Sequence, residues 1–310
     1  MGRVESGALT GAAHGGRAAL GRLPAPALLI AAAFSVQSGA ALATTLFDEI
    51  GPIGTVFLRT AFAAVVLALL LRAGGRRGRS GPWRWPILLG VSLAGVNCLF
   101  YESIERIPLG VAVTVEFLGP LAVAIAGSRR KLDFVWIALA GAGVALLGSP
   151  TVDVDGVRLV LALAAGVFWA AYIVVGKRLG QTWPLQLGLT YAIAISTALV
   201  APFGIAAGGL ELVEPHLLAL GLAVAVLATV IPYVLELAAL RRLKTSTFGI
   251  LMSLGPAVAA LAGAIFLSQH LGPVELLAVA CVVVASIGAN RGAQAPVAPK
   301  PEGCPLPERG

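Results

Sequence analysis

Polar residues break this chain at regular intervals and leave ten long apolar runs between them, near 26–46, 52–72, 84–104, 109–127, 133–149, 157–179, 185–207, 216–240, 246–267 and 272–289. Runs of about 17–25 apolar residues match the length an α-helix needs to cross a hydrocarbon core about 30 Å thick. Lipid offers no partner to backbone N–H and C=O groups, so continuous Ala, Val and Leu stretches of this length predict helices rather than strands. The expected fold class is all-α integral membrane, with ten transmembrane helices. The connections are too short to hold a soluble catalytic domain, so the function is expected inside the bilayer.

Composition agrees: 58% of the 310 residues are hydrophobic and 12% are charged, with a mean hydropathy of +0.92, which is a membrane composition. The net charge of +7 does not mark a nucleic-acid groove, because the basic residues follow the runs. Arg3, Arg17 and Arg22 precede the first run, Arg72, Arg76, Arg77, Arg79 and Arg84 lie between the second and third, and Arg129, Arg130 and Lys131 follow the fourth. Lys177 and Arg178, then Arg241, Arg242 and Lys244, and finally Arg291, Lys300 and Arg309 continue the series, whereas the alternate connections hold only Arg106 and Arg158. The positive-inside rule then predicts a multi-pass inner-membrane protein with both termini cytoplasmic. Segments 1–25 and 291–310, the latter Pro-rich, are expected to be disordered tails. Arg17, Arg22 and Ala41-Leu42-Ala43 imitate a secretory signal; the long apolar run between them predicts an uncleaved first helix. Cys98, Cys281 and Cys304 have neither disulfide nor zinc spacing, and no cofactor is expected.

The interior reads as two copies of a five-helix unit, 26–150 and 151–290. A shift of 136 positions lays Gly119-Pro120 on Gly255-Pro256, Gly127 on Gly263 and Arg106-Ile107 on Arg242-Leu243. Slightly smaller shifts lay Phe34 on Phe168 and Pro52 on Pro184. An odd number of spans per copy makes the second enter the membrane from the opposite side, and such inverted repeats are the frame of alternating access in secondary transporters.

Polar residues within the runs are few. Arg59 and Glu116 fall about seven residues into the second and fourth spans, both entered from outside, at a depth of roughly 10 Å. A lone intramembrane charge costs about 2.5–3.5 kcal/mol even on the mildest scale, so they are expected to pair or to line a wet cavity on a substrate or proton pathway; a static ion pair is the competing reading. Asn97 and Tyr101 are spaced to share a helix face, as are Trp169 and Tyr172, and Tyr233 and Glu236, while Gln37 adds an amide in the first span. An aromatic belt or plain packing competes for the aromatics, and exposure at a helix end for Glu236 and Glu102. The Gly119-Pro120 and Gly255-Pro256 pairs predict kinks suited to gating, and Gly255, Ala259 and Gly263 a small-residue packing stripe. No H-E-x-x-H, G-x-S-x-G or Walker motif occurs, which makes an enzyme unexpected and leaves a gradient as the drive.

Ordered segments make the chain resemble the threonine/homoserine exporters of the EamA type, within the drug/metabolite transporter superfamily. They are residues 35–43 (SVQSGAALA), Leu58-Arg59, 97–101 (NCLFY), 107–113 (IPLGVAV), 115–124 (VEFLGPLAVA), 128–130, 133–136 (DFVW), Pro232-Tyr233, Leu235-Glu236, 247–249 (TFG) and 251–253 (LMS). The likeness runs from about residue 34 to residue 290. It implies export of a small neutral amino acid from the cytoplasm, with protons as the coupling ion and the bilayer as the other partner. Two departures stand out: relatives usually carry glutamate where this chain has Gly255, and a Gly-Glu pair where it has Ser268-Gln269. An exporter of another metabolite or toxic compound on the same fold is the second reading, and a membrane scaffold or membrane enzyme the third. Oligomeric state is not legible.

Overall fold

The computed structural model describes residues 23–73, 81–126, 132–147, 155–240 and 251–292, and among them every regular element is helical. Pro24 precedes α1 (Ala25–Thr44). Helix α2 (Phe47–Ala73) leaves helical geometry at Gly51, where φ is +67°, a value open chiefly to glycine; the span proper starts at Pro52, as the apolar run predicts. Then follow α3 (Arg84–Ile104), α4 (Leu109–Glu116), α5 (Leu118–Ala126) and α6 (Asp133–Leu147). Helix α7 (Gly156–Thr182) is capped by Asp155, whose carboxylate accepts from the N–H groups of Val157 (2.9 Å) and Arg158 (3.3 Å), satisfying donors that the first turn leaves open. Helix α8 (Leu185–Gly208) runs into a 3-10 turn, and α9 (Pro215–Ala225), a π turn (Val226–Val230) and α10 (Ile231–Leu240) form one continuous rod. Helices α11 (Gly255–Phe266) and α12 (Pro273–Gly292) complete the described chain.

Eight helical stretches among the described residues are long and apolar enough to cross a bilayer, and Phe134–Leu147 and Gly255–Phe266 are shorter apolar helices. Val157, Val160, Val167 and Phe203 are 64–69% exposed, an apolar surface suited to lipid and a liability in water. The chain is a multi-pass membrane protein. Of the expected tails 1–25 and 291–310, residues 1–22 and 293–310 lie outside the described residues, as do Gly127 and the first part of the ninth run, 246–250, whereas Ala25 already belongs to α1 and Arg291 and Gly292 still belong to α12.

Packing is specific. Helix α3 lies against α7 and α8, α2 against α8 and α9, α1 against α10 and α11, α4 against α7 and α11, and α6 against α12. The connections meet at two ends with opposite chemistry. At one end Arg158 bridges the carboxylates of Glu102 (2.6 Å) and Glu105 (2.5 Å), His216 meets Glu49 at 2.9 Å, and Gln269 Oε1 accepts from Leu109 N–H at 2.9 Å. At the other, Trp83, Trp183 and Tyr191 stack with centroids 5.0–5.7 Å apart, and Trp183 Nε1–H donates to Pro82 O at 3.2 Å.

Candidate functional site

Arg59 of α2 points at α3. Its Nη1 donates to Tyr101 Oη at 2.8 Å and its Nη2 to Asn97 Oδ1 at 2.5 Å, while the guanidinium carbon lies 5.1 Å from the centre of the Tyr101 ring. Asn97 is itself oriented, because its amide donates to Leu93 O at 2.7 Å. The one-turn spacing of Asn97 and Tyr101 puts both on one face of α3, as the sequence predicts; that both accept from Arg59 is a partnership the sequence did not name. Arg59 Nε is buried and has no hydrogen-bond partner among the described residues.

The expected direct pairing of Arg59 with Glu116 is not present. Among the described residues no cation lies within 4 Å of the Glu116 carboxylate, which is 7% exposed and within electrostatic reach of Arg59. Equal depth in two spans fixes height but not azimuth, and the guanidinium is already engaged by α3. Glu102, in contrast, serves the ion-paired end of the bundle with Arg158.

A cavity of about 40 Å³ opens beside Arg59 between α2, α3, α8 and the π turn, with Asn97, Ser196 and Thr229 also in its wall. That volume holds about three waters and is several-fold below the roughly 300 Å³ of a small ordinary ligand pocket. Ser196 is fully buried, and its Oγ has no partner among the described residues. Neither Ser196 nor Thr229 stood out in the sequence, although the Ser196-Thr197 pair in the middle of an apolar run was the available signal.

Thr229 reaches this wall through the π turn, whose origin is local. Ile231 N–H bonds five residues back to Val226 O, and the next residue, Pro232, has no N–H to give to Leu227 O. Ser35 Oγ of α1 donates to that carbonyl at 2.7 Å. Gly39, one turn along α1, lets the turn approach: a methyl there would sit 2.7 Å from Ala228 N.

The remaining expected residues form two groups. Tyr172 of α7 lies within electrostatic reach of Tyr233 and Glu236 of α10, so one member of the α7 pair meets the α10 pair. Trp169 packs edge-on against Phe117, centroids 5.1 Å apart, inside the bundle rather than in an interfacial belt. Gln37 is buried, and its Oε1 has no partner among the described residues. The span α4–α5 breaks at Phe117 and α11 begins at Gly255, so both Gly-Pro pairs stand at helix interruptions. Gly119 is also a contact: a methyl there would overlap Gly166 O of α7, and one on Gly166 would lie 2.7 Å from Glu116 O. Gly255 faces the Phe117 ring and Gly263 faces Gln269 Oε1. No group of three or more potential metal ligands occurs among the described residues.

Comparison with known proteins adds to this geometry. The pattern of the EamA-like transporter family matches residues 23–150 and 157–291. The threonine/homoserine exporter RhtA of Escherichia coli strain K12 is 43% identical over 281 residues, covering 86% of this chain and 91% of its own, and the protein of the same name from Salmonella typhimurium strain LT2 gives the same figures. A solved crystal structure superposes with a TM-score of 0.61 at 19% identity, over 85% of this chain and 96% of its own, a likeness of fold.

Proposed function

The chain belongs to the EamA-like transporter family, and on that premise we propose that it exports small neutral amino acids of the threonine/homoserine kind across the inner membrane. The observation that carries this reading is the 43% identity, over 86% of the chain, to a protein named for that export. The Arg59 network and its cavity between spans fit it, since a zwitterionic substrate needs charged and polar groups in a wall that is otherwise apolar.

The frame of the proposal is ten spans in two inverted five-helix repeats, 26–150 and 151–290. Two matched stretches of the family pattern, 23–150 and 157–291, support it. So does the packing: exchanging each span of the first set for its counterpart in the second turns the α3–α7 contact into α10–α1, and α3–α8 into α9–α2. The described basic residues also favour cytoplasmic termini: Arg72, Arg84, Lys177, Arg178 and Arg291 fall at one end of the bundle, and Arg106 and Arg158 at the other. Gln37, Arg59, Asn97, Tyr101, Glu116, Trp169, Tyr172, Tyr233 and Glu236 are proposed to line the pathway, with protons as the exchanged ion and bending at Gly119-Pro120 and Gly255-Pro256.

The test is transport by the purified chain in liposomes, using a panel of labelled amino acids with and without an imposed pH gradient. Movement of threonine and homoserine is expected. A chain that moves none of the panel, or that moves other compounds in preference, would overturn the assignment.

A further inference from the structure

We propose that Arg59 Nε and Ser196 Oγ together anchor the carboxylate of the exported amino acid, in the cavity between α2, α3, α8 and the π turn. This deepens the amino-acid reading above and rests on it. Two observations lead there. Arg59 has given Nη1 to Tyr101 and Nη2 to Asn97, which fixes the guanidinium plane, yet Nε is buried and without a partner among the described residues. In the wall of the same cavity Ser196 Oγ is fully buried and also unpartnered among the described residues. A buried donor left open is costly, the more so on a charged group, and both open groups line one small cavity with no acidic side chain in its wall.

A carboxylate meets this demand. It is acceptor-only, it neutralises the arginine, and its two oxygens suit the Nε–H edge of a guanidinium held in plane. Ser196 Oγ–H supplies a second donor from α8. The cavity, at about 40 Å³, has room for such a head group and not for a whole amino acid. Binding must therefore part α8 and the π turn from α2, and Thr229 on the π turn lies where the remainder of the substrate would enter. The arrangement predicts selection for the free acid and indifference to the charge-neutral side chain beyond it.

The deciding experiment is equilibrium binding of labelled L-threonine to the full-length purified protein, competed by L-homoserine and by threonine amide, in which the carboxylate is replaced. The wild-type chain should prefer acid to amide at least tenfold. Ser196→Ala should weaken the acid about tenfold and leave the amide unchanged, so that the preference falls toward one, and Ser196→Thr should restore it. Because Ser196 Oγ has no partner among the described residues, this change removes no hydrogen bond seen there, and an unaltered thermal midpoint checks that the fold is intact. Arg59→Lys, which keeps the charge and loses the planar fork, should give an intermediate preference. A full acid preference in Ser196→Ala, or equal binding of acid and amide by the wild type, would overturn the anchor while leaving amino-acid export standing. Failure of the folded wild type to bind any amino acid would overturn both.

Discussion

At the scale of single residues, the bundle spends its few polar groups on holding Arg59. A guanidinium in hydrocarbon needs acceptors, and Asn97 and Tyr101 provide them from one face of α3. Tyr101→Phe removes one bond to a charged group, worth about 1.5–3 kcal/mol. It should lower thermal stability in detergent and slow export, with a substantial non-additive term in a double-mutant cycle with Arg59→Gln. The same cycle between Arg59 and Glu116 should give a smaller coupling, because the two are not in contact. Full coupling there, measured by transport, would mean that the cycle visits a state in which they pair. The shared face of Asn97 and Tyr101 was legible because one-turn spacing is a property of helices, but that Arg59 is the group they hold was not. That Glu116 and Arg59 do not touch was not legible, since depth along two helices leaves their rotation undetermined, and Ser196 escaped notice because a serine is ordinary in a membrane helix until its lack of a partner among the described residues is seen.

At the scale of elements, the helix interruptions are paired with contacts that only small residues permit. Gly119 and Gly166 bring α5 and α7 backbone to backbone, which makes Gly119 a packing position as much as a hinge. Gly119→Ala forces main chain apart and should cost about 1–3 kcal/mol or more, seen as a lower midpoint on thermal unfolding. Gly255→Ala should be milder: its methyl would meet the Phe117 ring at 2.7 Å, and a ring can turn where a backbone cannot. Phe117→Leu should relieve it, and a double variant less stable than either single one would show that the contact is not the cause. This geometry also gives a reason for one departure from the apparent relatives. The Phe117 ring, itself packed on Trp169, fills the space that a side chain at position 255 would need. In the other, Gln269 uses its amide oxygen to satisfy the first N–H of α4, a bond a carboxylate would also make but with a charge. Element boundaries followed the apolar runs closely. The π turn did not announce itself, because its cause lies on another helix, in Ser35 and Gly39 of α1.

At the scale of the whole molecule, the question is which group couples the two faces. An exporter driven by protons needs a pathway group that gains and loses one as the cavity changes sides, and the membrane-embedded carboxylates available are Glu116 and Glu236, with Glu102 nearer the surface. Their settings differ. Glu102 shares Arg158 with Glu105 and lies on a connection that ties α3 to α7, so Glu102→Gln leaves Arg158 a second carboxylate and should change transport little. Glu236 sits near Tyr172 and Tyr233, away from the Arg59 cavity. Glu116 is buried, is free of direct cation contact among the described residues and remains in the field of Arg59; its backbone carbonyl lies against Gly166 at the α4–α7 crossing. A substrate carboxylate arriving at Arg59 would cancel part of the positive field that Glu116 experiences, and an opposite charge nearby is what favours a carboxylate's ionised form. Substrate entry would thus promote proton uptake by Glu116 and substrate release would promote proton loss. That linkage makes proton and substrate bind together, the sign of co-transport, so exchange through Glu116 requires instead that the substrate ammonium and the proton compete for its carboxylate. That competition is open to measurement. Glu116→Gln should abolish uphill export in vesicles with an imposed pH gradient while retaining downhill substrate exchange, and Glu236→Gln should retain both if Glu236 is structural. Undiminished uphill export by Glu116→Gln would remove it from the coupling step and pass that role to Glu236.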